Sequence, residues 1–362
     1  MSENKYTDEF FKQYEEKYMR RTERPVGRHD AVPQKKKRRL PVRAIAFSCV
    51  ALILIGAIVL ISVLLSPPST TNEQDTDLGK TDNAVSVPKE PEPLKAPKIT
   101  EETQSFGIPL NSQYAVFIDV EENTVIAERG SGTVIYPASM TKILTLLTAV
   151  DNIDNLDDTF EMTYEITDPA YVAGASMAGF LAGERVTVRD LLYGAILPSG
   201  AEATTAIAVY VAGSESEFAV LMNEKARELG ITNANFVNAS GLHANNHYCT
   251  VTDIAVILRA AMEDELCREI LSTYQYTTSV TEQHPEGILL TSNIFSRMYG
   301  TEPEGADILG GKTGFTAEAG NCIASFGVSE TTGKEYIFVT AHASGSWKAI
   351  YDHIDAYTAY GK

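Results

Sequence analysis

Tyr136-Pro137-Ala138-Ser139-Met140-Thr141-Lys142 opens onto a largely apolar run, Ile143-Leu144-Thr145-Leu146-Leu147-Thr148-Ala149-Val150. The run reads as a buried helix, which puts Ser139 and Lys142 on its first turn, three residues apart and on one face. At that spacing a lysine amine reaches a serine hydroxyl. A hydroxyl is a poor nucleophile at neutral pH and needs an adjacent base. Lysine serves only if burial or a neighbouring cation keeps its amine neutral. The helix start adds unpaired backbone N–H groups that can steady an oxyanion. Roughly one S-x-x-K arises by chance in a chain of this size, so the motif needs company to carry weight.

Downstream, Lys312-Thr313-Gly314 lies inside Gly311-Lys312-Thr313-Gly314-Phe315-Thr316, the first of three late strand-like segments. A lysine and a hydroxyl on a strand edge, followed by a glycine that admits a ligand backbone, suit a peptide with a free carboxylate. Lys312 near Lys142 would also depress the pKa of Lys142, because like charges disfavour one another. Between the two motifs Pro198-Ser199-Gly200 breaks a helical stretch. Ser199 is either an N-cap or a third hydroxyl of the cleft.

Around these motifs the chain alternates in character. Tyr114–Val120 and Thr124–Arg129 read as a β-hairpin, and Thr187-Val188-Arg189-Asp190 as a capping-box start of a short helix. Val172–Gly179 is a small-residue loop. Ala201–Val211, Glu217–Leu229 (stopped by Gly230), Thr252–Met262 and Ser346–Tyr360 read as helices, with Trp347 packing the last of them. Strands are expected at Ala306–Thr313, Asn321–Val328 and Glu335–His342. Strands at both ends around a helical middle predict an α/β domain of the α+β type, a mixed antiparallel sheet flanked by helices.

The 362 residues, 44% of them hydrophobic, suffice for one large domain with extensions. The net charge of -18 is uneven. Residues 1–43 sum to roughly +6 and end near Lys35-Lys36-Lys37-Arg38-Arg39, so the acidic remainder is a poor nucleic-acid binder. Ala44–Leu65 contains no charged residue. At 1.5 Å per residue it spans about 33 Å, a bilayer core. The basic block before it predicts a cytoplasmic N-terminus and an extracellular remainder. Its length, and Ser66-Pro67-Pro68 where a small-x-small site belongs, argue for an anchor over a cleaved signal. Residues 66–107, rich in Pro, Thr and Glu, read as a disordered linker reaching about 35 Å as a coil. The domain expectation is therefore a tail (1–43), a transmembrane helix (44–65), a linker (66–107) and a catalytic domain (108–362).

Other candidates are weaker. Cys49 lies in the apolar run, and Cys249, Cys267 and Cys322 read as buried thiols, not a disulfide framework. His243 and His247 are four apart, but Ala244 stands where a metalloprotease helix needs Glu, so no metal and no cofactor are expected. Glu318 reads as a solvated loop charge.

S-x-x-K, a middle serine element and K-T-G, in that order, are a penicillin-binding and β-lactamase signature. Together with Leu191-Leu192-Tyr193-Gly194-Ala195-Ile196-Leu197-Pro198-Ser199-Gly200 and Phe236-Val237-Asn238-Ala239-Ser240-Gly241-Leu242-His243, they make the chain from Ser112 onward resemble the serine D-alanyl-D-alanine carboxypeptidases, the low-molecular-mass penicillin-binding proteins. The resemblance implies a β-lactamase/transpeptidase-like fold and removal of the terminal D-alanine from peptidoglycan stem pentapeptides. It casts Ser139 as acylated nucleophile, Lys142 as base and Ser199 as proton relay. Lys312 and Thr313 would hold the substrate carboxylate beside Gly314, and the N–H groups of Ser139 and Phe315 would form the oxyanion hole. β-Lactams would acylate the same serine. Membrane and wall peptide are the implied partners; preference for carboxypeptidase over endopeptidase action and the oligomeric state are not implied.

Two departures accompany the resemblance. The middle motif, usually Ser-x-Asn, reads Ser199-Gly200-Ala201, and a methyl group cannot orient Lys142. That admits a second reading, a wall-peptide-binding module with little turnover, while a β-lactamase ranks third for want of a second carboxylate base. Only 48 residues follow Gly314, leaving no room for the C-terminal β-domain and anchor helix of many relatives. The N-terminal helix would replace that anchor.

Overall fold

The computed structural model describes residues 96–362. The expected basic tail, the membrane span and the linker up to residue 95 lie outside the described residues. Within them no single helix is long and apolar enough to cross a membrane.

A six-stranded sheet forms the spine, in the order β1-β3-β2-β10-β9-β8. Its strands are β1 (Gln104–Ser105), β2 (Tyr114–Asp119), β3 (Thr124–Arg129), β8 (Ala306–Thr316), β9 (Gly320–Ser329) and β10 (Glu335–Ala343). All neighbours are antiparallel except β1, which runs parallel to β3. Successive strand residues point to opposite faces, and here both faces are covered. Val116 and Ile118 of β2, Ala324 and Phe326 of β9 and Ile337 and Val339 of β10 join the main core beneath the helices. The alternate residues Phe117, Ser325 and Phe338 meet the final helix, α9 (Ser346–Tyr360), through Tyr357 and His353.

That outer face is tied down by polar groups. Asp352, fully buried, accepts from both the backbone and side chain of Asn111 and of Ser112, at 2.6–2.9 Å. His353 sits between Ser325 Oγ (2.7 Å) and Thr340 Oγ1 (3.1 Å). Trp347, expected to pack this helix, is exposed, because it lies on the first turn beyond the sheet-facing stripe of Ala349, Ile350, His353, Ala356 and Tyr357.

The inner layer is the helical middle. It comprises α1 (Thr141–Val150), α2 (Tyr164–Val172), α3 (Val188–Ile196), α4 (Ala201–Ala212), α5 (Glu215–Glu228), α6 (Val251–Glu263), α7 (Glu265–Ser272) and α8 (Asn293–Met298). Two short ribbons, β4 (Thr159–Glu161) with β5 (Arg185–Thr187) and β6 (Gln275–Thr277) with β7 (Leu289–Thr291), flank it. The helix α1 is buried from Thr141 to Ala149, which explains its lack of a polar face.

Several local expectations shift. The linker expected over 66–107 has docked before its end: Lys98 pairs with Asn123 and Val125, β1 pairs with β3, and Phe106 packs on Phe338 and Tyr360. Polar composition hid these anchors because backbone pairing is indifferent to side chains. Thr187 caps α3 by accepting from Asp190 N–H, but the Asp190 carboxylate does not return the bond; it accepts from Tyr276 Oη and Ser279 N–H. The complete capping box belongs to Thr250 and Asp253 on α6. Cys249, Cys267 and Cys322 are free and buried.

Candidate active site

Ser139 lies not on the first α-helical turn but on a 3₁₀ turn, Ala138–Met140, that leads into α1. Ala138 is held at φ +48°, in the left-handed region a side chain disfavours. Gly241 supports that turn from below: a Cβ there would come within 1.9 Å of the Ala138 carbonyl oxygen, and Gly241 itself has φ +77°. On the opposite side a Cβ on Gly314 would stand 3.0 Å from the backbone nitrogen of Ser139. The β8 edge and the nucleophile turn thus touch backbone to backbone, and only glycine permits it.

Lys142, 2% exposed, places Nζ 3.1 Å from Ser139 Oγ and donates to the Ser240 carbonyl at 2.6 Å. The Ser240 carbonyl fills the orienting role that Ala201 cannot. Asn238 builds the turn that aims it, accepting from Gly241 N–H at 2.7 Å and donating to the Leu242 carbonyl at 2.9 Å. Glu215 accepts from Ala239 N–H, and Thr145 Oγ1 donates to the Ala239 carbonyl, so α5 and α1 hold the same loop. His247, buried, bonds Thr141 Oγ1 at 2.9 Å and accepts from Val237 N–H at 3.2 Å. Both its ring nitrogens are engaged, and burial brings its pKa down to about 4. Tyr136 meets His243 edge-on at the rim, with Glu318 3.9 Å from the His243 ring.

Burial lowers Lys142 to about 7, while the carboxylates of Glu202 and Glu215 pull it upward. The expectation that Lys312 supplies the depression is corrected: desolvation does, and repulsion from Lys142, with a further share from Arg297, adds to burial at Lys312, which lies well below the usual lysine value. Lys312, 1% exposed, donates to the carbonyl of Thr313 at 3.0 Å. Thr313 beside it is buried, and Phe315 is 64% exposed, so its offering to the cleft is backbone.

Ser199 does not cap α4; Gly200 occupies that position. Ser199 instead adopts φ +69° and buries its hydroxyl, 4% exposed, with no hydrogen-bond partner among the described residues. Its turn is clamped by Ala201 N–H to the Ser176 carbonyl and Gly200 N–H to the Gly194 carbonyl. Glu202 accepts from the N–H groups of Ala178 and Gly179, leaving its second oxygen buried and unpartnered. Burial raises its pKa. A strained, unsatisfied serine is a feature of sites built for a ligand.

The structure sets Lys142 against Ser139 and Gly314 against the Ser139 turn, with Lys312 within electrostatic reach of Lys142. Sequence reasoning missed Ser240, whose contribution is a main-chain carbonyl, and Glu202 as a buried charge. The available signal was Asn238-Ala239-Ser240-Gly241, a side chain that turns its own backbone followed by a residue free to take positive φ.

Comparison with known proteins agrees with this geometry. Residues 99–344 match the family model for peptidase S11, described as D-alanyl-D-alanine carboxypeptidase. The chain is 32% identical over 212 residues to the D-alanyl-D-alanine carboxypeptidase DacF of Bacillus subtilis, covering 58% of this chain and 52% of the relative. It is 30% identical over 234 residues to the D-alanyl-D-alanine carboxypeptidase of Streptomyces sp. K15, covering 60% of this chain and 78% of the relative. Among solved structures, the Streptomyces K15 DD-transpeptidase superposes with a TM-score of 0.62 at 25% identity, over 70% of this chain and 98% of that one. The chain spans about half the length of DacF and of the DacC carboxypeptidase of Escherichia coli. The fold, the ordered motifs and the family match converge, and the chain belongs to the peptidase S11 family.

Proposed function

We propose that the protein is a membrane-anchored serine-type D-Ala-D-Ala carboxypeptidase that removes the terminal D-alanine from peptidoglycan stem pentapeptides. One observation carries the reading: a buried Lys142 amine, lowered to about 7, lies 3.1 Å from Ser139 Oγ while donating to a fixed carbonyl. A neutral amine that spends one N–H on the Ser240 carbonyl can keep its lone pair for the Ser139 proton.

In this reading Lys142 takes the proton as Ser139 Oγ attacks the penultimate D-alanine carbonyl. The backbone N–H groups of Ser139 and Phe315 receive the developing oxyanion. Ser199 passes a proton to the leaving D-alanine amine, giving an ester on Ser139 and free D-alanine. Water then cleaves the ester, returning the serine. Lys312 and Thr313 hold the substrate carboxylate. Its arrival favours the charged form of Lys312, and a charged Lys312 in turn favours the neutral form of Lys142. Substrate thereby primes its own base. A β-lactam would acylate Ser139 by the same path.

The charge-free Ala44–Leu65 run and the basic residues before it support single-pass anchoring with the N-terminus cytoplasmic and the catalytic domain outside. A protease added to intact cells should shave the domain; protection would refute this orientation. For activity, the purified chain should release D-alanine from a stem pentapeptide and be labelled by a fluorescent penicillin, and Ser139→Ala should abolish both. Release that survives that change would refute the assignment.

A further inference from the structure

The turn between β8 and β9 carries a carboxylate that the proposed chemistry does not use. The side chain of Glu318 is 45% exposed, and its Oε2 lies 3.9 Å from Nδ1 of His243, whose ring meets Tyr136 edge-on at 4.6 Å. Three segments converge there. Tyr136 leads into the Ser139 turn, His243 ends the loop that aims the Ser240 carbonyl, and Glu318 lies just past Thr316, the last residue of β8. Its own backbone N–H and the nearby His243 hold Glu318 below the ordinary carboxylate value, so it is charged at neutral pH.

The register of β8 says what this charge would meet. Among the described residues β8 is the last strand of its sheet and pairs with β9 alone, an open edge to which an extended peptide can be added. The proposed reaction puts the donor's terminal carboxylate at Lys312 and Thr313, and its scissile carbonyl between the N–H groups of Ser139 and Phe315. The acyl part then continues past Phe315 and Thr316 toward Glu318. At about 3.3 Å per residue, Lys312 to Thr316 is about 13 Å. The residue preceding two terminal D-alanines therefore lies beside the end of β8, and a long side chain on it reaches the turn. The cleft has a cation at its carboxylate end and an anion at its acyl end. The complementary donor carries a positive group on the third residue from its C-terminus.

We propose that Glu318 is a specificity-determining residue that selects donors whose residue before D-Ala-D-Ala bears a free side-chain amine. The inference rests on the peptidase reading above. A free amine is an ammonium at neutral pH and pairs with the Glu318 carboxylate, whereas an acylated amine is neutral and does not. The same pairing favours peptides whose amine is free over those already cross-linked through it.

The test compares Nα-acetyl-L-Lys-D-Ala-D-Ala, its side-chain amine free, with the same peptide acetylated on that amine, on the full-length chain. In the parent the free-amine donor is preferred in kcat/KM by about two- to fivefold, mainly through KM, and the preference shrinks as salt is raised. Glu318→Gln removes the preference and Glu318→Lys reverses it. A preference retained in Glu318→Gln, or absent in the parent, overturns the proposal whatever happens to the absolute rates, since damage to the fold slows both donors alike. If the parent turns over neither donor, the peptidase reading fails separately. Binding of the same two peptides then decides: a free-amine preference in the unmodified chain that is lost in Glu318→Gln supports the proposal, and one retained overturns it.

Discussion

Lys142 Nζ donates to the main-chain carbonyl of Ser240 at 2.6 Å and lies 3.1 Å from Ser139 Oγ. A carbonyl has no proton to lose and cannot change rotamer. The Lys142 amine is therefore oriented by a group whose position depends on one loop, and whose chemistry is independent of pH. That loop, Phe236–His243, is held by Asn238, Glu215 and Thr145.

Asn238→Ala removes the side chain that bonds Gly241 N–H and the Leu242 carbonyl. The loop loses about 1–3 kcal/mol of hydrogen bonding and the Ser240 carbonyl its fixed aim. Turnover should fall about tenfold or more, with the loss in kcat and not in KM. Steady-state kinetics on a pentapeptide check it.

The acid side of the pH profile reports Lys142. Only the neutral amine accepts the Ser139 proton, so kcat/KM should rise as pH passes about 7 and collapse below it. The charged groups acting on this amine are the carboxylates of Glu202 and Glu215, which raise it against the larger effect of burial. Glu202→Gln removes a raising charge, so the acid limb should move to lower pH. A limb that stays in place contradicts this electrostatic account.

Gly314→Ala would set a methyl 3.0 Å from Ser139 N and 3.2 Å from Met140 N. The nucleophile turn and the β8 edge must then part by a few tenths of an ångström. Because reacting groups tolerate little displacement, acylation by a fluorescent penicillin should slow by about a hundredfold. Thermal stability should fall by only about 1–3 kcal/mol, the usual range for overpacking.

Buried histidines set the acid stability. His353, between Ser325 and Thr340, is pushed down to about 3 from 6.5, chiefly by burial, and His247 to about 4. Each is neutral in the folded domain and takes up a proton more readily once unfolded. Their contribution is complete above about pH 6.5 and drains away as pH falls toward 4 and 3. The unfolding free energy from denaturant titrations should drop at about 1.4 kcal/mol per pH unit for each histidine. His353→Gln should flatten that slope even if it lowers stability at pH 7.

Much of the fold was legible because it rests on local pattern. The apolar run of Tyr114–Asp119, the alternation in Thr124–Arg129, the apolar run after Lys142 and Gly230 after α5 each mark their own element. The short pieces, α7, α8 and the ribbon of β6 with β7, carry too few residues for a period to emerge. Their structure comes from what they dock against, as when Asp190 accepts from Tyr276 and Ser279.

By itself the sequence marked Ser139, Lys142 and the K-T-G edge as the candidate site, since residue type and spacing are what the proposed roles require. Tertiary structure decided how they function. Burial is a property of the packed domain, so the cause of the lowered Lys142 could not be read from neighbours in the chain. The Ser240 carbonyl is chemically the same as any other carbonyl, and only the folding of Asn238-Ala239-Ser240-Gly241 against Ala138 points it at Lys142. Ser139, expected on a helix, stands on a 3₁₀ turn because Gly241 and Gly314 close on it from two sides, and such closeness exists only between segments distant in sequence.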